Sequence, residues 1–327
     1  MNIDTLSSLL TNLPDGQIGI AGDFCTDVYW ELHPGQGEPS LETGRITTPV
    51  TAARYSPGGA GNIAANLRGL GLRQIPCFGA LGSDHFGLWL RKTLVPDPVN
   101  TDFLLDICRK EYHTPVYCKP LLDRVEQSRM DLGGNPLTDE ESRQLIGLLK
   151  QQFGRLKVLI VNEQLRNGIH SAYFRRNFAE LTAHSPDRPT IIFDGRNYPD
   201  AYPGTILKIN AEEASNLAFG EPGKPPEESG PVILRKNGAG VVITDGERGC
   251  HVFTSTETAF IPAIRYDGPV DTVGAGDSFI AGFALALAKD ADLKTAAEFG
   301  NICSAVTIRK INQTGVPTPE EIYALNE

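Results

Sequence analysis

The stretch Asp271-Thr-Val-Gly-Ala-Gly-Asp-Ser-Phe279 runs directly into the apolar segment Ile280-Ala-Gly-Phe-Ala-Leu-Ala-Leu-Ala288. A glycine-rich turn opens an apolar helix, with one carboxylate, Asp277, at its mouth. The unpaired backbone N–H groups of Gly274, Ala275 and Gly276 and the positive end of the helix dipole attract an anion. A carboxylate in the same turn repels that anion, unless it takes a proton from a group attacking it. Phosphoryl transfer to a hydroxyl needs this arrangement: donors where charge gathers and a base beside the acceptor oxygen. The plain alternative is an ordinary helix start with an acidic residue in its first turn. Two glycines flanking Ala275 argue against it, because they weaken a helix start.

At 327 residues the chain is long enough for one large α/β domain with a substantial core. Short β-forming runs, at 18–24, 74–81, 158–162, 190–194, 205–210 and 241–245, alternate with amphipathic segments such as 142–153 and 171–183. That alternation predicts a mostly parallel sheet with helices on both faces. Thr138–Glu141 and Thr318–Glu321 read as capping boxes. The Pro-, Gly- and Glu-rich segment 220–231 reads as a solvated surface loop. Segments 28–56 and 112–134 break the alternation; they are short, turn-punctuated and mostly β-forming.

Net charge is −10, and no Lys/Arg run has the density of a nucleic-acid or anionic-membrane patch. Six cysteines show no metal-type spacing and read as reduced core thiols of a cytoplasmic protein. The start, Met1-Asn-Ile-Asp-Thr-Leu6, lacks the basic and apolar pattern of a signal peptide, and no stretch approaches the ~20 apolar residues of a membrane span. The expectation is therefore a chain without nucleic-acid or membrane partners.

Asp271–Phe279 matches residue by residue the C-terminal signature of the ribokinase-like (PfkB) carbohydrate kinases, which use no Walker A loop; none is present here. Pro57-Gly-Gly-Ala-Gly-Asn-Ile-Ala-Ala-Asn66 resembles that family's N-terminal signature. The resemblance implies a three-layer α/β/α sandwich in a single domain over 1–327, with segments 28–56 and 112–134 forming a small β-sheet lid over the sugar. It implies Asp277 as catalytic base and Gly274, Ala275 and Gly276 as the hole for the transferred phosphoryl group. Gly58, Gly59 and Asn62 fall at substrate-contacting positions. Asn210 and Glu213, the N-x-x-E of Lys208–Glu213, would order the water shell of Mg²⁺ and the nucleotide phosphates, though Asn at N-cap with Glu at N3 is a capping box in its own right. Thr244, Gly246 and Gly249 would contact ATP, and Asn301 would line the adenine pocket. A monovalent cation and a homodimer built through the lid complete what the resemblance implies.

The first strand ends in Gly22-Asp-Phe-Cys-Thr-Asp-Val-Tyr-Trp30. Ligands of open α/β sheets bind beyond the carboxyl ends of strands, so Asp23 and Asp27 are predicted to point into the cleft and accept hydrogen bonds from sugar hydroxyls; a turn-capping role is the alternative. Gly22–Trp30, Gln127-Ser-Arg-Met-Asp131 and the ending Arg309–Glu321 resemble the heptose-7-phosphate kinase branch, which adds Gln127 and Arg129 as substrate contacts. This sequence departs from that branch at Asn162-Glu-Gln164 and Phe193-Asp-Gly-Arg196, and it carries no fused nucleotidyltransferase domain. Arg124, Arg129, Arg166 and Arg196 lie in segments expected to flank the sugar and suit a substrate that already carries phosphate. The expected activity is ATP-dependent phosphorylation of a sugar or sugar phosphate. The alternatives are a catalytically silent sugar-binding protein on the same fold and a kinase for another sugar or nucleoside. A dinucleotide oxidoreductase is disfavoured: Gly59-x-Gly61-x-x-Ala64 does not follow the first strand, and Pro57 is expected to interrupt the strand before it.

Overall fold

The computed structural model describes residues 1–94, 101–311 and 313–326; Asn312, within the Arg309–Glu321 ending, lies outside the described residues. The strands are β1 Ile18–Gly22, β2 Phe24–Leu32, β3 Val50–Gly59, β4 Cys77–Gly82, β5 Leu104–Ile107, β6 Val116–Leu122, β7 Val125–Glu126, β8 Met130–Leu132, β9 Val158–Glu163, β10 Thr190–Gly195, β11 Ile206–Asn210, β12 Gly240–Thr244, β13 Gly249–Phe253 and β14 Thr258–Pro262. The helices are α1 Ile3–Leu10, α2 Ala60–Gly69, α3 His85–Leu94, α4 Asp139–Gln152, α5 Ala172–His184, α6 Ala211–Phe219, α7 Pro226–Asn237, α8 Ala275–Ala288, α9 Leu293–Thr307 and α10 Pro319–Asn326.

Nine strands form one sheet in the order β14-β13-β12-β11-β10-β9-β1-β4-β5. Its pairs are parallel from β12 to β5, while β12–β13 and β13–β14 are antiparallel. The inner strands are apolar at every second residue on both faces because both faces are covered. Ile18, Ile20, Val158 and Ile160 pack with Phe283 and Leu285 of α8 and Phe299 of α9, alongside α1, α2, α3 and α10. Their neighbours Leu159, Val161 and Phe193 pack with Leu145 and Leu149 of α4 and Phe174 and Phe178 of α5, alongside α6 and α7. The result is the three-layer α/β/α sandwich that the alternation predicts.

A separate small sheet has the order β3-β2-β6-β7, with β8 also paired to β6. The run expected as one strand over 18–24 splits at Asp23, where the chain leaves the central sheet and enters the small one. Small-sheet strands begin earlier and end later than the segment 28–56, at Phe24 and Gly59.

Three expectations are corrected. Segment 220–231 is not all loop: α7 starts at Pro226, where a missing N–H costs nothing, and Glu227 and Glu228 occupy its first turn. Pro57 does not interrupt its strand; β3 is the edge of the small sheet, and an edge tolerates a residue without a donor. Of the six free cysteines, Cys108 is exposed rather than in the core. Among the described residues no helix is long and apolar enough to cross a membrane.

Helix α8, which the glycine-rich turn opens, is also core, with Phe283 fully enclosed. Phe283→Ala is expected to cost about 3–5 kcal/mol of unfolding free energy, measured by urea denaturation. A loss under 1 kcal/mol would mean that α8 is not a structural support of the sheet.

Candidate active site

The parallel strands all end at one edge, and that edge gathers the polar side chains. Gly22, Asn162, Asp194 and Lys208 are register partners across β1, β9, β10 and β11. Asp194 accepts from Asn162 Nδ2 at 3.1 Å through one oxygen and pairs with Lys208 Nζ at 3.1 Å through the other. Burial works against a charged Lys208, but Asp194 outweighs it, and the lysine pKa ends above its ordinary value. The ammonium group therefore stays charged inside the protein, where a buried charge requires a partner.

Helix α8 points its N-terminus into this edge. Gly274, its N-cap, is left-handed (φ 80°), and a Cβ there would stand 3.0 Å from Asn62 Nδ2 and 3.1 Å from the Thr314 methyl. A Cβ on Gly276 would meet Lys208 Nζ at 3.2 Å, so the lysine lies directly against the turn. The Ala275 amide is not open to a ligand: it donates to the Thr272 carbonyl at 3.2 Å. That narrows the expected three-amide hole.

Asp277 Oδ2 accepts from Asn62 Nδ2 at 2.6 Å. Asn62 is buried on α2 and is oriented by Asn66 Nδ2, which donates to its carbonyl at 2.8 Å and to its Oδ1 at 3.2 Å. The Asp277 pKa is raised to about 6, first by burial and then by Asp194; Asn62, Lys208 and Arg196 oppose the shift.

The two N-terminal carboxylates have different surroundings. Asp23 accepts three backbone N–H bonds, from Gln164 and Leu165 (both 2.9 Å) and Ile169 (2.9 Å). Its carboxylate clamps the 164–169 loop from beneath, the alternative weighed for it. Asp27 instead bonds Lys119 Nζ at 3.1 Å, and Lys119 also donates to Tyr29 at 3.2 Å. Burial raises the Asp27 pKa, against the pull of Lys119. A Cβ at Gly58 would stand 3.2 Å from Asp27 Oδ1, so that glycine keeps the carboxylate approachable. Gly59, left-handed at φ 55°, packs so tightly on the Asp23 carbonyl that a Cβ there would lie 2.4 Å from it.

Further along the edge, Asn210 and Glu213 form the reciprocal cap of α6, Asn210 Oδ1 accepting from Glu213 N at 2.9 Å and Glu213 Oε2 from Asn210 N at 3.1 Å. Thr244 is the register partner of Asn210. Gly246 (φ 56°) and Gly249 (φ 120°) bracket the turn that follows, and Gly249 touches the Ile261 carbonyl so closely that only glycine fits. Asn301 of α9 is buried and donates to the carbonyls of Ile261 (3.3 Å) and Pro262 (3.4 Å), tying α9 to the end of β14. Gln127 is exposed and donates to Val125 O at 2.9 Å, while Arg129 is exposed, ion-paired to Asp131 and stacked on Tyr117 at 4.3 Å. Arg124 caps the β6–β7 hairpin in a left-handed conformation (φ 66°) beside Glu31 and His33, at the outer end of the small sheet. Arg166 and Arg196 are exposed.

Sequence reasoning passed over Lys208, Asp194 and Lys119. A signal for Lys208 was available: it is a lysine in the otherwise apolar run Ile206-Leu207-Lys208-Ile209, so a buried partner was required. The departure at Asn162-Glu-Gln164 is structural. Glu163 is fully buried and accepts from the amides of Asn197 (2.7 Å) and Tyr198 (3.2 Å), and Gln164 donates its amide to Asp23.

Residues 195–320, which contain α8 and its turn, match the pfkB family carbohydrate kinase pattern. The chain is 26% identical over 335 aligned positions to the bifunctional protein HldE of Caulobacter sp. (strain K31), covering 98% of this chain and 65% of that one. It is 27% identical over 285 positions to the ribokinase of Bacillus subtilis (strain 168), covering 84% and 89%. Arabidopsis thaliana ribokinase, solved with ribose and ATP, superposes with a TM-score of 0.72 at 18% identity, over 95% of this chain and 98% of the other. Residues 195–320 thus resemble the pfkB family carbohydrate kinases, and the chain has a ribokinase-like fold.

Proposed function

We propose that the protein is an ATP-dependent carbohydrate kinase in which Asp277 removes the proton of a sugar hydroxyl as it attacks the γ-phosphoryl group. One observation carries this reading: a single carboxylate with a pKa raised to about 6 sits in the first turn of a buried helix whose N-terminus attracts anions. Asn62 holds that carboxylate at 2.6 Å, leaving its other oxygen for the substrate. Lys208, against Gly276, offsets charge that gathers on the transferred group.

The nucleotide would lie along Asn210, Glu213, Thr244, Gly246 and Gly249, with its base toward Asn301. No cluster of three or more metal-ligating side chains exists among the described residues. The Asn210–Glu213 pair instead suits Mg²⁺, which keeps several waters and binds through few carboxylates plus substrate phosphates. When bound, the ion would neutralise phosphate charge. Asp27, on β2 of the small sheet, would accept from sugar hydroxyls, and that sheet, built mostly from 28–56 and 112–134, would act as the lid. That lid would also join two copies of the chain. The resemblance of 22–30, 127–131 and 309–321 to heptose-7-phosphate kinase domains, together with the HldE similarity, favours a seven-carbon sugar 7-phosphate attacking through its anomeric hydroxyl.

Asp277→Asn keeps size and the Asn62 neighbourhood but loses proton acceptance. Turnover should fall by roughly 10²–10⁴-fold with ATP binding little changed, read by ADP release and nucleotide calorimetry. Turnover near wild type would assign the proton to a different base, and no turnover in the unaltered protein would leave the silent-binder alternative.

The raised pKa has two signatures. The base must be ionised, so kcat/KM should fall as pH drops through about 6. Ionised Asp277 is disfavoured in the folded chain, so its contribution to stability is full below the unfolded value near 3.8 and is lost as pH rises through about 6. Asp277→Asn should therefore raise stability at pH 8, by up to about 2 kcal/mol, and leave it unchanged at pH 3.5. Melting curves at both pH values check this, and a destabilised variant at pH 8 would contradict it.

Asp27→Ala should weaken sugar binding by about 1.5–3 kcal/mol, one charged hydrogen bond, and leave ATP affinity unchanged. Equal losses for both ligands in calorimetry would assign Asp27 to the fold alone.

A further inference from the structure

The two segments at which the sequence departs from the heptose-7-phosphate kinase branch, 162–164 and 193–196, form one structural unit. They end the adjacent parallel strands β9 and β10, with Asn162 opposite Asp194 and Glu163 opposite Gly195. Asn162 Nδ2 donates to Asp194 at 3.1 Å. Glu163 is fully buried and has no cationic partner among the described residues. Its carboxylate accepts from the amides of Asn197 at 2.7 Å and Tyr198 at 3.2 Å and from Asn197 Nδ2, while its carbonyl accepts from Arg196 N at 3.3 Å. A carboxylate out of water requires such donors, and all of them come from residues 197 and 198. The far end of this loop is tied as well: the Tyr198 hydroxyl donates to Arg166 O at 3.2 Å, and Arg175 lies 4.2 Å over the Tyr198 ring.

The side chain that the loop carries has no partner. Arg196 is exposed, and its guanidinium makes no hydrogen bond, ion pair or ring contact among the described residues. It stands two residues past Asp194, beyond the carboxyl end of β10. Its charge favours the ionised forms of Asp277 on α8, Cys25 on β2 and Tyr117 on β6, so it acts on both the helix mouth and the small sheet. The carboxylates around it are committed elsewhere: Asp194 to Asn162 and Lys208, Asp27 to Lys119, and one oxygen of Asp277 to Asn62.

We propose that Arg196 is a catalytic residue that donates a bidentate pair of N–H bonds to the γ-phosphoryl group of ATP, and that Glu163 is the positioning residue that holds it there. This rests on the kinase reading above. The acceptor oxygen bonds the γ-phosphorus as the bond from that phosphorus to the β–γ bridging oxygen breaks. The acceptor proton passes to Asp277, the electron pair leaves with ADP, and Arg196 stays protonated throughout. Charge spread over the peripheral oxygens of the moving group then meets two cations, Lys208 beside Gly276 and Arg196 from the end of β10. The two are not equivalent, because a guanidinium fork matches two oxygens of one phosphoryl group whereas an ammonium is a point charge. A guanidinium without a carboxylate partner enters this contact with no ion pair to break. The Glu163 bonds fix the backbone on both sides of Asn197, which lowers the cost of ordering the loop when the anion arrives.

The test compares the ATP analogue AMP-PNP, which keeps a γ-phosphoryl group, with ADP by calorimetry on the full chain in magnesium chloride. Arg196→Gln should weaken AMP-PNP by about ten- to a hundredfold, the scale of one charged hydrogen bond, and leave ADP within about threefold. Arg196→Lys should restore part of that loss. Glu163→Gln should give the same selective loss and add little when combined with Arg196→Gln, since both act through one contact. If Glu163→Gln fails to fold, Asn197→Ala, which removes one of the Glu163 bonds, should give a smaller loss of the same kind. In kinetics, kcat/KM for ATP should fall by one common factor for every acceptor turned over among ribose, ribose 5-phosphate, fructose and fructose 6-phosphate. AMP-PNP affinity unchanged by Arg196→Gln, or equal losses for AMP-PNP and ADP, would overturn the contact. A loss confined to the phosphorylated acceptors would overturn it too, by placing Arg196 on the acceptor's own phosphate. Transfer at equal rates by wild type and Arg196→Gln would keep the kinase reading and remove the contact. Selective loss of AMP-PNP binding, with no transfer by the wild type to any acceptor, would do the reverse.

Discussion

Asp23 is the joint on which both halves of the site depend. It is the single residue between the last residue of β1 and the first of β2, where the chain leaves one sheet for the other. Its amide donates to Asn162 O at 3.2 Å and its carbonyl accepts from Ala60 N at 3.0 Å, while its carboxylate holds the amides of Gln164, Leu165 and Ile169. One residue thus binds β9, the loop after it and the start of α2. Burial raises its pKa even though those amides and His170 favour the ionised form, which shows how little water reaches the joint. Leaving three amides unpaired there would cost about 1–3 kcal/mol each. From this joint Asp27 is placed four residues along β2, and Asn62 two residues into α2, so the Asp27 carboxylate and the amide that holds Asp277 are set by a common anchor.

The site above that joint is built from charges that the core would otherwise reject. Asp194–Lys208 and Asp27–Lys119 are ion pairs with side-chain exposures between 10% and 15%, and Asp277 is ionised only against its surroundings. Buried pairs of this kind contribute little to stability, because desolvation consumes most of the attraction. Their sense is preorganisation. Dipoles and charges already in place need no rearrangement when charge moves between a hydroxyl, a phosphoryl group and a base. Lys208 lies between Asp194 and Gly276: Asp194 keeps it protonated, and the turn packs directly against it.

How much of this was legible in the chain follows from which interactions are local. The turn 271–279 announced itself because a glycine-rich helix start with one carboxylate is a contiguous pattern, and the capping boxes at Thr138 and Asn210 were readable for the same reason. The central strands were visible as apolar runs covered on both sides. Helix α7 was hidden because Pro225, Pro226 and Gly230 mimic a loop; its helical state is imposed by packing, Ile233 in the core and Gly230 against the Phe253 ring. Asp23 looked like a ligand-facing carboxylate because nothing near it in sequence supplies its three partners, which arrive from residues 164–169. Lys119 was invisible for a further reason: its contacts with Asp27 and Tyr29 exist only once β2 and β6 are aligned.

An acidic chain could bind a polyanion only through local groups. A net charge of −10 opposes the approach of nucleotide and sugar phosphate alike, and screening reduces that repulsion to short range, about 8–10 Å at physiological salt. Within that range two groups favour an anion, the α8 N-terminus and Lys208 against Gly276. Each is fixed by a different neighbour, the first by a buried helix and the second by Asp194. The small sheet and the central sheet are joined at Asp23. The contact of Ser56 with Thr314 at 3.2 Å ties β3 of the small sheet to the segment that precedes α10.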